Sequence, residues 1–63
     1  MIEFEGAKIV YHDNPEEKDY EKRGKISLMK NQIVGFYDHT ILLNGDHKIR
    51  VMETYEEIWE KLS

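Results

Sequence analysis

The chain has 63 residues, a net charge of −4 and no cysteine. So short a domain buries only about 60% of the surface its unfolded chain exposes, which leaves a thin core that calls for a partner subunit or very economical packing. The missing cysteines exclude a disulfide framework, a thiol nucleophile and a Cys-ligated zinc or iron–sulfur site. No apolar run approaches the roughly 18 residues of a membrane span. Met1–Glu5 has neither the basic nor the apolar region of a secretion signal, so the expected location is the cytoplasm.

Ile2 and Phe4 alternate with Glu3 and Glu5, the period-2 pattern of a half-buried strand. After Gly6 a second β-prone run, Lys8–His12, follows. The two form either a hairpin across Gly6-Ala7 or one strand with a bulge at Gly6. Residues 13–24 read as a mobile charged loop. Asp13-Asn14-Pro15 is turn chemistry, Pro15 restricts Asn14 to extended backbone, and Pro15-Glu16-Glu17 could open a single helical turn. Tyr20 is the one large apolar group there to pin the segment.

Lys25–Lys30 is a further strand, with Ile26 and Leu28 on one face, and Asn31-Gln32 marks a break. Ile33–Tyr37 follows, its Gly35 pointing to a bulge or sharp bend. Thr40–Leu43, Asn44-Gly45 and Lys48–Met52 carry the strongest short hairpin signal. A two-residue loop would set Leu43 against Asp46 and Ile41 against Lys48. A three-residue loop sets Leu43 against His47 and Ile41 against Ile49, which gathers Ile41, Leu43, Ile49 and Val51 on one face. A one-residue slip moves the whole apolar set across the sheet, so the three-residue loop is expected. Leu42 and Met52 then point the other way, which suggests that the second face is also covered.

Thr54-Tyr55-Glu56-Glu57 is a capping box for a helix over Tyr55–Leu62. Tyr55, Ile58, Trp59 and Leu62 form its apolar stripe, and a helix this short must dock on the sheet, with Trp59 as its largest contribution. The expected fold is α+β: a single domain over 1–63, with a small bent antiparallel sheet of four to five strands, closed into a partial barrel, and one C-terminal helix. The core should hold Ile2, Phe4, Ile9, Ile26, Leu28, Ile33, Ile41, Leu43, Ile49 and Val51.

Catalytic chemistry finds little support. His12, His39 and His47 each adjoin an aspartate, but neighbours on a strand point to opposite faces, and zinc needs three or four well-spaced ligands. Ser27 and Ser63 are the only serines and neither has a triad setting. The expectation is no enzyme, no cofactor and no metal. Phe36 and Tyr37 are adjacent, so one of them lies outside the main core. Phe36, Tyr37, Leu42, Met52 and Trp59 are therefore the candidate protein interface.

The charge is blocked along the chain. Residues 1–21 hold seven acids against Lys8 and Lys18, and 53–63 hold four acids against Lys61. Between them, Lys22, Arg23, Lys25 and Lys30 form a basic block without an acid. The net charge argues against a general nucleic-acid binder. That block, beside Tyr20 or Tyr37, is nonetheless the alternative reading, a nucleic-acid-binding module of a phage or mobile element.

From Asn31 onward, Asn31-Gln32-Ile33-Val34, Thr40-Ile41-Leu42-Leu43-Asn44-Gly45 and Ile49–Ile58 resemble the small FlbD-type flagellar proteins of bacteria, over roughly residues 25–62. Those carry a T-I-x-L-x-N-G hairpin, a V-x-E-[ST]-x-E-E-[IV] stretch and a C-terminal helix. Residues 1–24 depart from that pattern. The resemblance implies a non-enzymatic accessory protein that works through self-association and contact with a protein partner, with no membrane insertion.

Overall fold

A computed structural model describes residues 1–14 and 16–63. In chain order it comprises β1 (Ile2–Tyr11), β2 (Lys18–Leu28), a single 3-10 turn (Lys30–Gln32), β3 (Ile33–Tyr37), β4 (Thr40–Leu43), β5 (His47–Arg50) and α1 (Tyr55–Leu62). The α+β class, the antiparallel pairing and the C-terminal helix are as expected. The partial barrel is not: the strands divide into a two-stranded β1–β2 ribbon and a three-stranded sheet in the order β3-β4-β5. Among the described residues an isolated Gly6–Val51 bridge and the Met52 amide donating to the Glu5 carbonyl at 2.7 Å are the backbone links between them.

β1 is one strand. The ladder runs Glu5–Lys25 and Gly6–Gly24, then resumes at Ala7–Lys22, so the extra residue of the bulge is Arg23 on β2. Gly6 is required by close approach: a Cβ there would lie 2.8 Å from Ile26 Cδ1 and 2.9 Å from the Gly24 carbonyl oxygen. The loop expected over 13–24 is corrected, because β2 already begins at Lys18. Charged side chains are compatible with this strand because eight of its eleven residues are exposed, so backbone pairing with β1 sets its conformation rather than burial. What remains of the loop is tied by the Glu17 amide donating to the Asn14 carbonyl at 2.9 Å and the Glu16 amide donating to Asn14 Oδ1 at 3.1 Å. The expected effect of Pro15, and the helical turn it would open, lie outside the described residues.

The bulge expected at Gly35 is present, with Val34 as the extra residue between the Ile33–Leu43 and Gly35–Leu42 pairs. The β4–β5 hairpin has the three-residue loop, pairing Ile41 with Ile49 and Leu43 with His47. Its positive φ values fall at Gly45 (81°) and Asp46 (61°), one position later than an Asn-Gly two-residue turn would place them. Phe4, Leu28, Ile41, Val51 and Ile58 form the buried core, and Ile2, Ile26, Ile33, Phe36, Leu43, Ile49 and Leu62 pack against it. Ile9 is absent from this cluster. It pairs with Tyr20 in the part of the ribbon that runs past the core, and the molecule is accordingly elongated, 38 × 20 × 19 Å.

The capping box of α1 forms as expected. The Glu57 amide donates to Thr54 Oγ1 at 3.3 Å, and the Thr54 amide donates to Glu57 Oε1 at 3.2 Å. The Tyr55 amide donates to Asp38 Oδ1 at 3.1 Å, so the β3–β4 turn caps the helix a second time. The docking stripe is narrower than the sequence suggests. Ile58, fully buried, and Leu62, one turn later, face the core, whereas Tyr55 and Trp59 remain 45% and 60% exposed. Glu53, just before the cap, is the one buried acid among the described residues. It accepts from the Glu5 amide at 3.0 and 3.1 Å and from Lys61 Nζ at 2.9 Å, and so joins β1 to the helix. Lys61 also donates to the Glu3 carbonyl at 2.6 Å and lies 5.2 Å from the centre of the Phe4 ring.

Candidate interaction surface

Strand alternation sorts the candidate interface residues onto two faces. On β3, β4 and β5 the rows Phe36–Ile41–Ile49 and Tyr37–Thr40–Arg50 are neighbours in the ladder, so they point to opposite sides. Phe36 turns to the core side and is half-buried; Tyr37 turns out and is 45% exposed. Leu42 shares the outer face with Tyr37, between Gly35 and Lys48, and is half-buried, as is Met52. Thr40 is fully buried on this outer face and accepts from the Arg50 guanidinium at Oγ1. The second face of the sheet is thus partly covered by its own side chains.

The five candidates therefore do not form one patch. Phe36 and Trp59 belong to a surface made by β3 and α1, where Phe36 packs against Tyr55 with ring centroids 5.1 Å apart. Trp59 follows one helical turn after Tyr55, and Val34, pushed out by the bulge, is 64% exposed on the same strand as Phe36. Two of the exposed rings, Tyr55 and Trp59, lie on α1 within this surface. Tyr55 was missed as a surface residue because the period of the stripe alone does not say which of its members reach the core.

The basic block also divides. Lys22 lies 3.8 Å from Glu5 and Lys25 lies 4.0 Å from Glu3, each an exposed ion pair of little energetic weight. Lys30 opens the 3-10 turn and borders a separate depression with Ile33, Phe36 and Leu62. Arg23 and Lys25 instead face Lys48 and Arg50 of β5 across a groove of about 470 Å³. Lys48 and Arg50 were not read as a basic site from the sequence. Their signal lay in the alternation Lys48-Ile49-Arg50, which puts two cations on the face opposite the core.

The histidines occupy three different settings, His47 being exposed at the start of β5 opposite Leu43. His12 pairs with Asp19 across the ribbon and not with the adjacent Asp13. His39 sits at φ 57° in the β3–β4 turn rather than on a strand, which lets its Nε2 come within 3.9 Å of Asp38 Oδ2. Its Nδ1 lies 3.2 Å from the Val51 carbonyl oxygen. Among the described residues no group of three or more His, Asp or Glu side chains is placed to hold a metal ion, and no helix is long and apolar enough to cross a membrane.

No protein-family model, no curated protein and no solved structure matches the chain.

Proposed function

We propose that the protein is a non-enzymatic accessory module that self-associates through the face formed by β3 and α1. The observation that carries the reading is the exposure of Trp59 and Tyr55, 60% and 45%, on the flank of α1 next to the buried Ile58, with Tyr55 against Phe36. Each buried aromatic removes about 150–250 Å² from water, and rings of this type concentrate at protein interfaces. A two-fold arrangement doubles the patch, because the same residues are contributed by both copies. The resulting interface belongs to the smaller, weaker class, below about 1,200 Å². The resemblance to small FlbD-type flagellar proteins supports the same kind of role, action by contact in place of chemistry.

Sedimentation equilibrium over a micromolar to millimolar range tests this, with Trp59 emission followed in parallel. The expected result is a reversible monomer–dimer equilibrium whose dimer arm shows blue-shifted Trp59 emission, and which is abolished in Trp59→Ala without loss of the folded circular dichroism signal. A monomer mass and unshifted emission throughout the range would overturn the reading. So would a dimer that survives Trp59→Ala.

A further inference from the structure

We propose that the groove between β2 and β5 is a binding site for the phosphate backbone of single-stranded nucleic acid, with Arg23, Lys25, Lys48 and Arg50 as its cationic walls and Tyr37 as an adjacent stacking surface.

The groove follows from the sheet geometry. β1 runs between β2 on one side and, through the Gly6–Val51 bridge, the end of β5 on the other. Gly6, Ala7 and Gly24 line the groove together with Ile26, whose side chain closes over Gly6, while the long side chains of Arg23, Lys25, Lys48 and Arg50 rise from the flanking strands. The bulge inserts Arg23 into β2, and bulges commonly re-aim a side chain. Among the described residues no carboxylate lines the groove. Among the described residues Arg23, Lys48 and Arg50 have no acidic partner within 4.0 Å, and only Lys25 reaches one, Glu3, at that limit. Three or four cations left without counterions around a concavity are the arrangement that takes up a phosphodiester chain and releases its condensed ions.

Tyr37 distinguishes this ligand from an acidic peptide. It stands on the same face as Arg50 and Lys48, in the cross-strand row Tyr37–Thr40–Arg50, and nearly half of it is exposed. A flat ring next to cations on an open sheet face suits a base next to its phosphate. An acidic segment needs the charges alone. The net charge of −4, which speaks against general nucleic-acid affinity, is carried by acids outside the groove. Screening limits their reach to about 10 Å at 0.1 M salt.

The test is fluorescence polarisation of a labelled oligothymidylate, with the intact chain, across a salt series. Four phosphate contacts on a single strand predict a log–log salt slope of about −2.8. Arg23→Ala with Lys48→Ala is expected to halve that slope and weaken low-salt binding by at least about tenfold. Tyr37→Ala is expected to weaken binding by about tenfold with the slope unchanged. Lys30→Ala lies outside the groove and is expected to alter neither. Arg23→Lys with Lys48→Arg keeps the charges and is expected to keep binding, which separates lost charge from lost fold. No polarisation change at low salt overturns the proposal, as does a slope indifferent to Arg23 and Lys48. Binding of an oligoglutamate peptide with none of the oligothymidylate would assign the groove to an acidic protein segment and overturn it equally. Trp59→Ala is expected to leave oligothymidylate binding intact, so this site and the α1 face stand or fall separately.

Discussion

Tyr20 of β2 is stacked on His39 of the β3–β4 turn, ring centroids 4.2 Å apart and planes inclined by 27°. This contact fastens the charged ribbon to the three-stranded sheet. The turn that carries His39 also meets two other parts of the chain. The His39 carbonyl accepts from the Val51 amide at 3.0 Å, and Asp38 caps α1. Tyr20→Ala is expected to cost about 1 kcal/mol, in line with an aromatic pair that is partly exposed. His39 holds a positive φ of 57°, which Asn tolerates and a β-branched residue does not. Urea unfolding of His39→Asn and His39→Val checks this: the Val variant should be the less stable by about 1–2 kcal/mol. Equal stabilities would show that the turn does not hold this backbone in solution.

Glu53 and Lys61 make a tie of a different kind. The carboxylate is buried and accepts a bifurcated hydrogen bond from the Glu5 amide on its two oxygens, while the Lys61 side chain is 38% exposed. Lys61→Met therefore removes a partly screened charge and keeps the stem over Phe4, at an expected cost of about 1 kcal/mol. Glu53→Ala strips the Glu5 amide of its acceptor and leaves a cavity, at about 2–3 kcal/mol. Glu53→Gln retains one acceptor oxygen and should fall between them. Thermal unfolding of the three variants gives the order, and a Glu53→Ala no worse than Lys61→Met would show that the carboxylate serves only as a surface charge.

The parts that were legible in the sequence are those governed by local rules. The β4–β5 register follows from period 2 and a loop length that keeps Ile41 opposite Ile49. The Thr54–Glu57 box follows from one residue spacing. β2 was hidden because Lys18–Lys25 has almost no apolar pattern. Its strand state comes from pairing with β1, a contact between distant segments. The outward position of Trp59 was hidden for a related reason. Two residues, Ile58 and Leu62, suffice to dock a helix of eight residues, so the size of a side chain does not decide which members of the stripe go inside. The groove needed both facts at once: the Arg23 bulge and the bridge that brings β5 beside β1.

Gly6 marks the place where that bridge forms. A Cβ there meets Ile26 Cδ1 at 2.8 Å and the Gly24 carbonyl at 2.9 Å, and the second of these atoms is backbone. Ile26 can turn away, but the carbonyl moves only if the ladder moves. Gly6→Ala is expected to cost about 1–3 kcal/mol by overpacking. Hydrogen exchange locates the effect: faster exchange should centre on the Met52 amide, which bonds to Glu5, and on β1 residues near Gly6. Uniform acceleration across the whole chain would instead mean that the two sheets unfold as one unit and that the bridge has no separate role.

Tyr37 supplies a pH-dependent signature of the outer face. Desolvation is the largest single influence on its phenol and acts to raise its pKa. It is outweighed by the positive charge of Lys48, the nearby donor groups of Thr40 and Arg50, and the charge of Arg50, which together bring the phenol below its ordinary value of 10.0. The phenolate is thus favoured in the folded chain over the unfolded one. At neutral pH both states keep the proton and the effect on stability is nil. It appears as pH rises through the lowered folded value, is complete above the unfolded value, and is lost again as pH falls. Absorbance titration near 295 nm should show one of the four tyrosines ionising ahead of the rest. Tyr37→Phe should remove that early phase, Lys48→Gln should delay it, and added salt should shrink the separation because the group is exposed. Four tyrosines that titrate together at low salt would mean that Lys48 and Arg50 do not converge on this ring, and the cationic face would lose its aromatic member.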